Sequence, residues 1–179
     1  MDRETFQGFQ IDQENFKLLP QLQHSVKYGS YQLLMELAHP AEIEVGKLGL
    51  LYFPRGHYLY TGVHRTALIA RVLRHLRNSK KIHWHIDYLT TDTSLSIRQI
   101  FLYPDELGEC RINRKFLEIS EAKILHPGFG SSDCKNKCAG HLLFLERGEK
   151  QLKVWREKYI DVSYRFKNGE SIQIISNKS

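Results

Sequence analysis

Five groups of residue types in this 179-residue chain could do chemistry. The first is cationic. Arg71, Arg74 and His75 are followed by Arg77, Lys80, Lys81 and His83, and no acid occurs from Val63 to Ile86. At about 100° per residue, Ile69, Val72, Leu73 and Leu76 make a core stripe, and Arg71, Arg74 and His75 gather opposite it. Cations grouped in this way can hold a phosphate backbone; the bland reading is a solvated helix face. The second group is a single carboxylate, Glu109. It falls within about 60° of Ile112 on a helix whose apolar side is Ile112, Phe116 and Ile119, while Glu118 points away. An inward carboxylate needs a cation or a metal. Mg²⁺ takes one protein carboxylate together with waters and phosphate oxygens, and a partly buried salt bridge would serve equally.

The other three groups are less specific. Tyr31 lies on one strand, and Tyr58 and Tyr60 share a face of another; the pattern alone reads as an aromatic cluster on a sheet. His83, His85 and Asp87 alternate within KKIHWHIDYL. An extended segment would put all three on one face, as a metal site or an acid/base relay. The plainer reading is a hydrogen-bonded corner around a buried Trp84. Cys134-x3-Cys138-x2-His141 has soft-ligand spacing, and Cys110 could complete a set of four. The spacing is not that of a C-x2-C knuckle, so reduced, partly buried thiols are expected in preference to zinc.

These residues need elements to position them. YGSYQLLMEL reads as a strand, and GLLYFPRGHYLYTG as a hairpin turning at Pro54-Arg55-Gly56. TALIARVLRHLRNSKK is a helix with a basic last turn. SLSIRQIFLY is a strand, DELGECRINRKFLEIS a helix, HPGFGSSDC a loop and HLLFL a short strand. RGEKQLKVWREKY carries Leu152, Trp155 and Tyr159 on one stripe of a helix, and VSYRFKNGESIQII forms two strands about Asn168-Gly169. The expected fold is α+β: a small, mainly antiparallel sheet flanked by helices. Residues 1–27 form an N-terminal extension, 28–146 the domain, and 147–179 a helix and hairpin appended to it.

Composition sets the class. Hydrophobic residues are 41% and charged residues 26%, close to a soluble globular average. No apolar run is long enough to span a membrane, and the polar stretch MDRETFQGFQIDQENF lacks the apolar region of a secretory signal. Three cysteines argue against a disulfide framework and for a reducing, intracellular (cytoplasmic) setting. The net charge of +6 suits a polyanionic partner. No membrane partner is expected, and the oligomeric state is open.

The ordered set Gly29-Ser30-Tyr31, Tyr60-Thr61-Gly62, a helix with Arg71 and a helix with Glu109 resembles the GIY-YIG nuclease superfamily over roughly residues 28–146. It looks closest to a branch that is sometimes fused to endonuclease III-type glycosylases. That branch is similar in its GxYxL strand (Gly29 to Leu33), its iGklG step (Val45 to Gly49) and its YvYvG strand (Tyr58 to Gly62). It also shares R-x3-H (Arg71 to His75), WHIDYL (Trp84 to Leu89), an EC pair (Glu109-Cys110), GFGxSDC (Gly128 to Cys134) and HL at His141-Leu142. The chain departs from the branch after Gly62 and in the spacing of Cys134 and Cys138, where the branch tends to C-x-C. The Asn that closes many such sites has two candidates, Asn113 and Asn136.

The resemblance implies a divalent-metal-dependent endonuclease that hydrolyses phosphodiester bonds in DNA, in repair or defence. Glu109 would hold Mg²⁺ or Mn²⁺. Tyr31 or Tyr60 would orient or deprotonate the attacking water, which requires cations or the metal to lower a phenol of pKa about 10. Arg71 would neutralise charge on the scissile phosphate, and His75 would contact phosphate or shuttle a proton. Arg74, Arg77, Lys80, Lys81 and His83 would hold nucleic acid, DNA in preference to RNA. His85 and Asp87 would brace the site from behind. The competing reading is a catalytically weak nucleic-acid-binding module on the same scaffold.

Overall fold

A computed structural model describes residues 8–159, 162–167 and 171–176 of the chain. Its centre is strand β2 (Gly29–Leu37), a run buried along almost its whole length, with Ser30 and Gln32 among its buried residues. Such a run can be stable only with both faces covered. β2 lies between β5 (Gly56–His64) and β6 (Leu95–Pro104) in a five-stranded sheet of order β1-β6-β2-β5-β7, antiparallel throughout. β1 (Phe9–Asp12) and β7 (Leu142–Leu145) form its edges. This is the α+β architecture expected, with a second two-stranded ribbon of β3 (Ala41–Glu44) and β4 (Leu50–Phe53).

Alternation along the strands separates two cores. Tyr31, Leu33, Met35 and Leu37 of β2 face one side with Tyr58 and Tyr60 of β5. Helix α1 (Leu68–His75) covers that side through Leu68, Ile69 and Val72, and α2 (His85–Thr90) through Ile86 and Leu89. Leu34, Leu59, Phe101 and Tyr103 face the other side. There α3 (Glu109–Ser120) presents Ile112 and Phe116, and α4 (Glu149–Tyr159) presents Leu152 and Trp155. The side chain of Tyr159 lies outside the described residues.

Three local expectations are corrected. β4 pairs with β3, not with β5, so Pro54-Arg55 leads out of the ribbon and into the main sheet. β3 carries alternating glutamates and is only half-buried, a pattern too polar to stand out as a strand. WHIDYL is not extended. The Asp87 carboxylate accepts the backbone N–H groups of His83 at 2.9 Å and Trp84 at 3.0 Å, which caps α2 and coils the segment. The N-terminal extension joins the main sheet. β1 adds an edge strand, pairing Phe9 with Leu102, and a 3-10 helix (Gln13–Leu22) buries Leu19 and Leu22. The C-terminal strands β8 (Val162–Lys167) and β9 (Ser171–Ser176) pair as a hairpin, and the Asn168-Gly169 turn expected there lies outside the described residues. No helix among the described residues is long and apolar enough to cross a membrane.

Candidate active site

A cleft of about 540 Å³ opens where β2, β5, the start of α2, the start of α3 and the loop 128–141 meet. Tyr31, Tyr60, Arg71, His83, Trp84, His85, Glu109, Cys110, Cys134 and His141 all line it. Residues spread over more than a hundred positions converge because β2 and β5 are paired neighbours. Tyr31 stands opposite Gly62, and Tyr60 opposite Leu33, so the two phenols are diagonal partners on one face.

Gly62 explains its own identity. A Cβ there would lie 2.5 Å from the Tyr31 hydroxyl. Gly62→Ala is therefore expected to push the Tyr31 ring off the cleft floor at a cost of about 1–3 kcal/mol. Thermal melting of the variant checks this, and an unchanged midpoint would refute it. Gly130 is constrained twice: its φ is +68°, and a Cβ would meet the Tyr60 ring at 2.7 Å.

Tyr31 is buried, and its hydroxyl meets His75 Nε2 at 2.8 Å. His75 does not face away from the core as the helical arithmetic predicts; it is only 1% exposed, at the end of α1 under the cleft. Its Nδ1 has no hydrogen-bond partner and lies 3.8 Å from Asp87 Oδ1, too far for a bond but close enough for charge. A proton on Nδ1 faces that carboxylate favourably, whereas a lone pair there would be repelled. The preferred tautomer thus leaves Nε2 to accept the Tyr31 proton. Burial, then the charges of Lys80, Arg71 and Arg74, hold the His75 pKa down to about 3 against the pull of Asp87, so the ring is neutral.

Burial also raises the phenols of Tyr31 and Tyr60 above their ordinary value; Arg71 works against this without overcoming it. Neither is a phenolate by itself, and the cations alone do not lower them. Asp87 is fully buried and grips Arg74 through both oxygens, at 2.7 and 2.9 Å. Burial pushes its pKa up, but Arg74 and the two backbone donors outweigh that and hold it below the ordinary value.

Arg71 fits its expected place. Its guanidinium lies 3.8 Å over the Trp84 ring, and among the described residues it has no carboxylate partner. Its charge is open to the cleft. Arg74 stacks on the same ring at 4.4 Å, but its charge is committed to Asp87. Lys80 is committed too: its Nζ donates to the carbonyls of Arg74 and His75 and caps α1. Arg77 and Lys81 are exposed and stand outside the cleft lining. Of the expected nucleic-acid contacts, only His83 lines it, and the structure adds Arg65 and Lys135. A helical wheel shows which way a cation points but not which acid meets it.

Glu109 occupies the first turn of α3, half-buried, and no cation lies within ion-pair distance of it among the described residues. The salt-bridge alternative is not realised. One carboxylate opening on a polar cleft, with Asp133 also in the lining, is a donor set that suits Mg²⁺ or Mn²⁺. Asp87 lies behind the cleft, holding Arg74 and the start of α2. His85 lines the cleft itself, its Nδ1 accepting the Gly130 N–H at 3.1 Å.

Cys110, Cys134, Cys138 and His141 come together at one wall, their ligand atoms all within 4.8 Å of one another. This group could hold a metal ion. The three cysteines are free and at least partly buried, as expected, and the loop between Gly128 and Gly140, folding back on α3, brings them together. Burial raises Cys110 to about 12, while Cys134 is lowered: burial opposes that, and the N–H groups of Cys138 and Asn136 with the neighbouring thiols outweigh it. Sequence reasoning also missed a buried chain of polar groups behind this wall. Trp155 donates to Tyr103, Tyr103 to Gln32, Gln32 to Thr61, Thr61 to Asn113, and Asn113 Nδ2 to the Gly140 carbonyl. Of the two candidate asparagines, Asn113 belongs to that chain and Asn136 lines the cleft.

No curated protein and no solved structure matches the chain. A family model does, over residues 30–163, a span holding every residue of the cleft. The chain belongs to the family described as Domain of unknown function DUF123.

Proposed function

We propose that this protein is a divalent-metal-dependent endonuclease that hydrolyses phosphodiester bonds in DNA. The observation that supports it best is the joint presence at one cleft of Arg71 and Glu109, neither with an ion-pair partner among the described residues, beside the Tyr31–His75 hydrogen bond. The GIY-YIG resemblance of the motifs agrees with it. Glu109 would hold Mg²⁺ or Mn²⁺, which would supply charge neutralisation and acidify water.

The chain's own residues divide the rest of the work. Arg71 takes the negative charge that builds on the phosphate. Tyr31 orients the attacking water. The His75 ring, neutral and bonded to the Tyr31 hydroxyl, fixes that hydroxyl towards the water. As the water oxygen bonds to phosphorus, its proton passes to cleft water; the bond from phosphorus to the leaving sugar oxygen breaks, and that oxygen takes a proton back from cleft water. Arg65, His83 and Lys135 hold the flanking phosphates.

The test is cleavage of end-labelled single-stranded DNA, duplex DNA and RNA in Mg²⁺, Mn²⁺ or EDTA. Metal-dependent cuts in DNA are expected. Failure to cut any substrate, with salt-sensitive binding intact, would favour the binding module on the same scaffold. Binding is expected to weaken with salt, with a log–log slope of roughly −0.7 to −0.9 for each phosphate contacted. Affinity that does not change with salt would contradict both readings.

A further inference from the structure

We infer that Cys110, Cys134, Cys138 and His141 form a closed zinc centre that clamps the 128–141 loop to the first turn of α3. The centre thereby fixes the cleft wall on which Glu109 stands. Only the consequence for Glu109 rests on the nuclease reading.

The ligand geometry fits zinc. Zn–S bonds of about 2.3 Å and Zn–N bonds of about 2.0 Å in a tetrahedron put two sulfurs about 3.8 Å apart and a sulfur and a nitrogen about 3.5 Å apart. Cys110 Sγ lies 3.3 Å from Cys134 Sγ and 3.6 Å from His141 Nε2, so the sulfur–nitrogen distance matches and the sulfur–sulfur distance is about 0.5 Å shorter. The first distance is far beyond a disulfide bond, and all three cysteines are free. Three sulfurs and an imidazole are soft to borderline donors, which suit zinc and disfavour Mg²⁺ or Ca²⁺. Four protein ligands fill a tetrahedron and leave no open position for water, so this ion is structural and distinct from the one at Glu109.

The loop supplies an independent reason. From 126 to 141 the chain has neither helix nor strand, yet Phe129, Ser131 and His141 are buried. A loop of that length without regular structure needs something to hold it. Half the site is already anchored. The His141 carbonyl accepts the Thr61 N–H at 2.9 Å, its N–H donates to Phe129 at 2.8 Å, and Cys110 stands on α3. Cys134 and Cys138 face them across a turn in which Lys137 adopts φ +52°, a left-handed conformation a lysine takes at some cost. Metal bonds at both ends offset that cost. Arg114, one helical turn beyond Cys110, donates to its carbonyl and places a cation beside the thiolates. Cys110 is the direct neighbour of Glu109, so pinning its sulfur pins the backbone that carries the carboxylate.

The test uses the full chain purified without added metal. Elemental analysis is expected to find about one zinc per chain. Cobalt substitution should give the intense visible bands and thiolate-to-cobalt absorption of a tetrahedral site. Cys138→Ser should lose the zinc and melt lower by about 10 °C or more, since binding energy here is folding energy. His141→Cys should keep the zinc, and so should Glu109→Gln. Should Cys138→Ser not fold, chelator titration of the wild type reads the same loss. Zinc-depleted protein assayed in Mg²⁺ should lose turnover by about 100-fold, because small misplacements of a catalytic group are costly.

A metal-free chain with weak, octahedral cobalt bands would overturn the centre. So would a Cys138→Ser protein that keeps its zinc and its melting point. Full turnover of the zinc-free protein would overturn the positioning role. Zinc content, cobalt spectrum and melting are all read without nuclease activity. A zinc-loaded chain that cleaves nothing would therefore sink the hydrolase reading and leave the centre standing.

Discussion

Glu109→Ala is expected to lower DNA cleavage by about 1000-fold while leaving DNA binding intact. Glu109 is the cleft carboxylate on a helix, and no cation competes for it. Its removal takes away the anchor for the divalent ion and leaves Arg71 alone to meet the charge on the phosphate. Affinity should hold or tighten, because a carboxylate in a phosphate-binding cleft repels its ligand. Turnover and affinity measured side by side make the split visible. Manganese-dependent cuts that persist in the variant would remove Glu109 from the mechanism. Parallel loss of binding and cleavage would mean that the substitution disturbs α3, and zinc content and melting of the same sample identify that case.

The second large effect is acid lability centred on His75 and Asp87. His75 titrates near its ordinary 6.5 when unfolded and at about 3 when folded. Between those values the unfolded chain binds the extra proton. The stability gained by keeping His75 neutral is full above pH 6.5 and is lost as pH falls towards 3, by about 1.4 kcal/mol per pH unit. Asp87 follows at lower pH. Its folded pKa lies below 3.8, so its contribution is present above that value and is lost beneath it.

Chemical denaturation at pH 7, 5.5 and 4 is expected to show a steep fall in stability. His75→Asn should flatten it; equal slopes in variant and wild type would refute the role of His75. Asp87→Ala removes the partner of a part-buried Arg74 together with the cap of α2. Breaking a buried pair costs about 3–5 kcal/mol, which lowers the melting midpoint by about 10 °C. A midpoint within a degree of wild type would show that solvent replaces the pair at no cost.

How legible the site was can be judged residue by residue. Glu109 was readable because helical periodicity relates it to Ile112 and Phe116, and that relation survives in α3. Arg71 was readable for the same reason. His75 was misjudged because an eight-residue helix packed on β2 and β5 buries the end of its last turn as well as its stripe. Lys80 and Arg74 were misjudged because their partners are carbonyls and a carboxylate that reach them only after folding. WHIDYL was readable as a brace but not as a helix; its coil depends on the Asp87 side chain turning back on the backbone of His83 and Trp84.

Local pattern determined the elements: a doubly buried central strand, alternating neighbours, two amphipathic helices bearing Arg71 and Glu109, and a glycine-bearing loop between them and the last strand. These follow from periods of 2 and 3.6 and from turn chemistry, all of which act between residues close in sequence. Tertiary structure alone decided the rest. It placed Tyr31 on His75 across 44 positions, and it gathered Cys110, Cys134, Cys138 and His141 into one set of ligands. It also threaded a polar chain from Trp155 to Gly140 through the second core. Such contacts depend on which strands pair and which loops fold back. Those choices are settled by burying both faces of β2 at once, and no single stretch of the chain records them.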